Sequence, residues 1–184
     1  MSRAHSEVFF ADRRRFLTRA GLALALVPCG AAWAQEAQRR TLSFVHTHTG
    51  ERLTSSYFVD GAYVPAELQR INQLLRDFRT GDVYPIAPAT LDILADLHAL
   101  AGSGEHYEVI CGYRSPQTNA LLRSHSHGVA EHSLHMQGRA IDVRLTGFPT
   151  ARLHELALGM RRGGVGFYPQ SDFVHIDNGA VRSW

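Results

Sequence analysis

Apolar and polar positions follow two periods along this chain, and the changes between them mark its elements. Residues 42–48 and 53–58 are rich in β-branched and aromatic side chains, with Thr49-Gly50-Glu51 as a turn between them, which predicts an N-terminal hairpin. Asp60-Gly61 marks another turn. Pro65 then opens a helix at a position where its missing N–H costs nothing, and Leu68, Ile71, Leu74, Leu75 and Phe78 give that helix an apolar face until residues 79–82 close it. A second helix follows Pro88, with Leu91, Leu94, Ala95 and Leu97 inward, and ends at the Gly-Ser-Gly of 102–104. Residues 107–111 form a short apolar strand, 117–123 a short helix, and 150–160 a helix with Leu153, Leu156 and Ala157 inward. Two further runs alternate at the strand period: 139–145, where Ile141 and Val143 oppose Asp142, and 173–176, where Val174 and Ile176 oppose His175. Strands and helices in this irregular order predict an α+β fold, a small antiparallel sheet with helices packed around it.

The first 34 residues read as an address, not as fold. Arg13-Arg14-Arg15-Phe16-Leu17 resembles a twin-arginine export signal, an apolar run spans 21–27, and Ala32-Trp33-Ala34 suits cleavage before Gln35. The apolar run is too short to cross a bilayer, so no stable membrane insertion is expected after cleavage. Pro28 before Cys29 argues against a lipoprotein signal at that cysteine. The segment carries five Arg against Glu7 and Asp12, so the chain's net +2 becomes about −1 for 35–184. A nearly neutral domain argues against a nucleic-acid partner. Loss of Cys29 leaves Cys111 alone and excludes an intrachain disulfide. Lying in an apolar strand, Cys111 reads as a buried, inert thiol, in preference to the nucleophile of a cysteine hydrolase.

The chemistry concentrates late in the chain. Ser133-Leu134-His135-Met136-Gln137-Gly138-Arg139-Ala140-Ile141-Asp142 sets an imidazole and a carboxylate seven positions apart, and His175 follows on a separate strand. Two adjacent strands presenting Asp142 and His175, with His135 arriving from a loop that Gly138 lets turn tightly, would converge on one point. Hydrolytic zinc sites take three such ligands and keep a fourth position for water. Each histidine taken singly reads more readily as structural than as a ligand. Arg114, in Gly112-Tyr113-Arg114-Ser115-Pro116, projects from a strand end, with a structural salt bridge as the alternative to a catalytic role. His46 and His48 share a strand face without a third partner, which favours packing. The loop histidines 125, 127 and 132 read as solvent-facing, with a proton shuttle as the functional alternative. The run Gly163-Gly164-Val165-Gly166 lacks the spacing and the Lys-Ser/Thr of a phosphate loop, and reads as a close backbone approach.

Ser-x-His-x-x-Gly-x-Ala-x-Asp followed by a late His resembles the zinc site of the LAS superfamily (lysostaphin, D-Ala-D-Ala metallopeptidases and the hedgehog domain). Thr47 to Glu51, Leu74 to Arg79, Gly112 to Pro116, Ser133 to Asp142, and the stretch from Gly163 to Trp184 are more closely similar to its YcbK-like branch, the murein endopeptidase K family. The resemblance implies a domain over 35–184 with zinc in a cleft on the sheet, and His135, Asp142 and His175 as its ligands. It implies that Arg114 stabilises an anionic tetrahedral intermediate. The general base stays open between Asp172, where related dipeptidases carry Glu three residues before the last ligand, and Asp177, which instead would orient a ligand. The activity implied is periplasmic cleavage of peptidoglycan peptide cross-links, including the 3-3 type between diaminopimelate residues. Carboxypeptidase action on stem peptides and a non-catalytic zinc-stabilised binding module are the alternatives.

Overall fold

The computed structural model describes residues 39–125 and 128–184. The export segment and its cleavage site, Cys29, Ser126 and His127 fall outside those residues. In chain order the elements are β1 (Arg40–His46), β2 (Arg52–Val59), β3 (Ala62–Tyr63), α1 (Pro65–Leu74), α2 (Pro88–Ala101), β4 (Tyr107–Cys111) and α3 (Pro116–His125). A 3-10 turn at Leu134–Gln137 leads into β5 (Ala140–Leu145). Then come α4 (Thr150–Met160), β6 (Gly164–Tyr168), a 3-10 turn at Pro169–Ser171, β7 (Phe173–Asp177) and β8 (Arg182–Ser183).

The α+β class is as expected, but the sheet is neither small nor purely antiparallel. Eight strands lie in the order β3-β2-β1-β4-β5-β7-β6-β8. β1 runs parallel to β4, and β6 runs parallel to β8. The first parallel pair arises because α1 and α2 carry the chain back across the sheet before β4 begins, a crossover that no hairpin can make. β6 was legible only as a close approach, because its glycines carry no strand propensity. It lies between β7 and β8. A Cβ on Gly163 would come within 1.8 Å of the Asp177 carbonyl oxygen.

Alternation along the strands divides the sheet into two faces. Leu42, Phe44, Tyr57, Tyr107, Val109, Ile141, Val143, Leu145, Val174 and Ile176 are buried in one core with Ile71, Leu75, Leu91, Leu94, Leu97 and Leu153 from the helices. Each such fully buried Leu, Ile or Phe side chain contributes about 1.5–3 kcal/mol. The opposite face of β1 and β2 is a ladder of exposed hydroxyl pairs, Thr41 with Ser56 at 2.8 Å and Ser43 with Thr54 at 2.9 Å. Asp142 and His175 lie on that second face, away from the helices.

Helix α1 ends at Leu74, one turn earlier than its apolar spacing predicts. The following residues form a loop around Asp77, whose carboxylate accepts from Arg79 N and from Ser115 N, both at 2.9 Å. Phe78 leaves the helix to stack on His48 at 4.0 Å between ring centroids, and His46 meets the same ring edge-on. The histidine pair of β1 and its turn is thus used in packing. Among the described residues no helix is long and apolar enough to cross a membrane.

Candidate metal centre

Two strands and one short turn bring the donor atoms together. Asp142 on β5 pairs directly with His175 on the neighbouring β7. His135 sits in the 3-10 turn, and its own N–H donates to the capping Ser133 hydroxyl at 3.3 Å. Gly138 closes that turn in the left-handed region at φ 63°, and a Cβ there would meet the Pro85 carbonyl oxygen at 2.1 Å. Only glycine fits this backbone path, which aims His135 back toward the sheet.

His175 Nδ1 lies 2.8 Å from Asp142 Oδ1, His135 Nε2 lies 3.2 Å from the same oxygen, and the two ring nitrogens are 3.2 Å apart. A divalent first-row ion bound at about 2.0–2.2 Å in tetrahedral geometry keeps its N and O donors roughly 3.3 Å from one another. The spacing of this trio therefore fits such an ion.

Tautomers strengthen the case. His135 Nδ1 is 2.8 Å from the Gly112 carbonyl, an acceptor only, so Nδ1 carries the proton and Nε2 presents its lone pair. His175 Nε2 is 3.1 Å from Asp177 Oδ2, so Nε2 carries the proton and Nδ1 presents its lone pair. Two lone pairs and a carboxylate oxygen thus converge in a buried place, an arrangement suited to a cation. The same convergence raises the proton affinity of His135: burial opposes its charge, and the Asp142 carboxylate outweighs the burial. Asp142 is held below the usual carboxylate range, burial again opposing and the two imidazoles prevailing.

Asp177 is fully buried. Besides His175, it accepts from Gly164 N at 3.0 Å and Gly179 N at 2.8 Å, and Arg182 Nη2 donates to it at 2.6 Å. These donors, His175 first, overcome burial and hold its pKa below the normal range. With both oxygens engaged, Asp177 orients His175 and has no face turned to the cavity. Asp172 stands elsewhere: it accepts from the Thr150 hydroxyl, faces Arg144 at 3.6 Å, and lines a separate groove with Glu108 and Arg144. Asp177 thus reaches the donor trio only from behind His175, and Asp172 stands in a different groove.

Arg114 is brought there. Its Nη2 is 3.8 Å from Asp142 Oδ2 and 3.5 Å from the Cys111 sulfur, its Nη1 donates to Asn119 Oδ1, and its Nε has no partner among the described residues. With the trio it lines a cavity of about 320 Å³, walled on one side by Tyr168, Phe173 and Trp184 and on another by the 128–134 loop, including His132. The Trp184 indole donates to the Tyr168 hydroxyl at 2.8 Å, and its ring sits 5.1 Å from that of His175. Sequence reasoning missed this aromatic wall. It also misplaced Cys111: the thiol is not isolated in an apolar strand but lies beside His135 and Asp142.

A donor trio of this kind, with an arginine beside it in an open cleft, is an arrangement that metal-dependent hydrolases use. The comparisons with known proteins agree and are narrower. A family profile described as "Peptidoglycan L,D-endopeptidase MepK" matches residues 34–184, and the chain belongs to that family of metallopeptidases. It is 40% identical over 179 residues to the peptidoglycan L,D-endopeptidase MepK of Escherichia coli strain K12, covering 96% of this chain and 98% of that protein. It is 38% identical over 177 residues to the probable peptidoglycan L,D-endopeptidase MepK of Haemophilus influenzae, covering 94% and 95%.

Proposed function

We propose that residues 35–184 form a zinc-dependent endopeptidase of the periplasm that hydrolyses peptide cross-links of peptidoglycan, with residues 1–34 as its twin-arginine export signal. The observation that carries the reading is the convergence of His135 Nε2, His175 Nδ1 and Asp142 Oδ1 within 3.2 Å of one another. The family and the printed function of its relatives support the substrate. An L,D bond joins two diaminopimelate residues in a 3-3 cross-link, and we assign that bond as the target.

Zinc held by the trio would supply a Lewis acid and a water acidified toward neutral pH. The chain's own residues do the rest. Arg114, half-freed by its unpartnered Nε, places a fixed positive charge where the scissile carbonyl oxygen gains negative charge. Of the imidazoles and carboxylates that line the cavity among the described residues, His132 alone stands outside the trio, and we assign it the proton transfer to the departing amine. The aromatic wall holds the peptide against the trio. The uncovered sheet face admits a cross-linked polymer.

The test is digestion of intact sacculi by purified protein, with and without chelator and zinc restoration, followed by mass analysis of the muropeptides. Chelator-sensitive loss of 3-3 dimers is the expected result. Loss of terminal residues from monomers, with dimers intact, would make the protein a carboxypeptidase. No change from a protein holding one zinc per chain would make it a binding module.

A further inference from the structure

β4 does not enter the site with regular alternation. Val109 pairs with Val143, and the next paired residue, Cys111, stands opposite Asp142. Two residues of β4, Ile110 and Cys111, thus oppose a single step of β5, which is a β-bulge. Unbroken alternation would send Cys111 into the core beside Tyr107 and Val109. The bulge turns it to the other face, where Asp142 has Cys111 on one neighbouring strand and His175 on the other. One sulfur, one carboxylate and one imidazole therefore stand abreast on three adjacent strands. The sulfur, a ring nitrogen of His135 and an oxygen of Asp142 all lie within 4.8 Å of one another.

We propose that Cys111 is a fourth protein donor to the metal held by His135, Asp142 and His175. The inference rests on the metal centre proposed above and extends it. Thiolate sulfur is a favoured zinc donor, softer than imidazole or carboxylate. On binding, the S–H bond breaks, a sulfur–metal bond forms, and one proton leaves to solvent. Four protein donors make a closed centre, and three leave the position that hydrolysis needs. Cys111 gives this chain both states. With sulfur bound, the metal is retained and the centre rests. With sulfur displaced, the thiol has the Gly112 carbonyl at 3.7 Å and Arg114 Nη2 at 3.5 Å as alternative partners, so the open state leaves no stranded polar group.

Cobalt(II) replacing zinc in the purified full-length protein gives the direct readout. Thiolate ligation produces a sulfur-to-cobalt charge-transfer band in the near ultraviolet, which nitrogen and oxygen donors do not. We expect that band in the wild type and in Cys29→Ser, and its loss in Cys111→Ser with the visible ligand-field bands kept. A second readout is alkylation at Cys111 by iodoacetamide, mapped by mass, which zinc should block and chelator restore. Visible bands without the charge-transfer band in the wild type would overturn the inference and leave the three-donor centre standing. Absence of any cobalt spectrum would remove that centre, and this inference with it. The wild-type spectrum decides the matter even if a Cys111 variant fails to fold.

Discussion

His175 Nε2 donates to Asp177 Oδ2 at 3.1 Å, and the same carboxylate is fixed by Arg182 and by the N–H groups of Gly164 and Gly179. One side chain therefore sets the tautomer of His175 and ties together β6, β7 and the loop before β8. Asp177→Asn keeps the size but loses one acceptor oxygen and the charge. We expect zinc affinity to fall about 10–100-fold. Competition with a chromophoric chelator measures this directly, and excess zinc should restore much of the muropeptide activity.

Arg114 predicts a different signature. It approaches the trio without being one of its donors, so Arg114→Ala should leave zinc content unchanged. Turnover on purified cross-linked dimers should fall on the order of 10²–10³-fold, with little change in KM. Arg114→Lys should rescue little, because its point charge cannot reproduce a fork held by Asn119 and Asp142.

Asp77 links pH to the position of Arg114. Burial raises its pKa, but hydrogen bonds from Thr118, from Ser115 and from Arg79 outweigh burial, and the net shift is downward. A carboxylate depressed in the folded state stabilises fully above the unfolded value of about 3.9, and that contribution is lost as pH falls through the lower native value. Asp77→Asn turns an NH₂ group toward one of the two backbone N–H donors. It should cost about 1–3 kcal/mol at neutral pH, and the gap to wild type should narrow as pH drops below about 4. Urea unfolding across that range measures both.

Gly138→Ala tests the backbone path to His135. The added methyl meets the Pro85 carbonyl oxygen at 2.1 Å at a left-handed residue, so neither neighbour can yield without moving the turn. We expect a stability loss above about 2 kcal/mol together with loss of stoichiometric zinc, read by thermal unfolding and metal analysis.

Trp184→Ala tests the wall of the cleft. Trp184 touches no donor atom, yet its ring lies over Gly166 and beside His175. Its removal should raise KM for dimeric muropeptides several-fold, corresponding to about 0.5–1.5 kcal/mol, with turnover and zinc content little altered.

Much of this was legible in the sequence, and the misses have identifiable causes. The N-terminal hairpin, β4 at 107–111, α4 at 150–160 and the two site strands were readable because their burial period is local. Asp142 and His175 announced themselves as polar residues opposite apolar neighbours. Phe78 continued a helical spacing that the Asp77 loop overrides. The parallel pairings join segments distant in sequence, which no local pattern encodes. Gly163 to Gly166 showed that something comes close, but not that the neighbours are Asp177 and Trp184. Cys111 was judged by its apolar neighbours along the strand, whereas a bulge sets it beside His135 and Asp142 across the sheet. Of the two carboxylates considered as the base, Asp177 is enclosed by donors and Asp172 faces Arg144, relationships that only tertiary structure creates.

The division of β5 between its two faces has an evolutionary consequence. Ile141, Val143 and Leu145 serve folding, Asp142 faces the cleft, and their order in the strand interleaves these roles. A single-residue insertion or deletion inside β5 would exchange the two sets, driving the carboxylate into hydrocarbon and the aliphatics into water. Descendants of this chain can therefore lengthen or shorten the segment between α3 and the 3-10 turn and reshape the cleft. The length of β5 is frozen, and selection on catalysis and selection on solubility enforce it together.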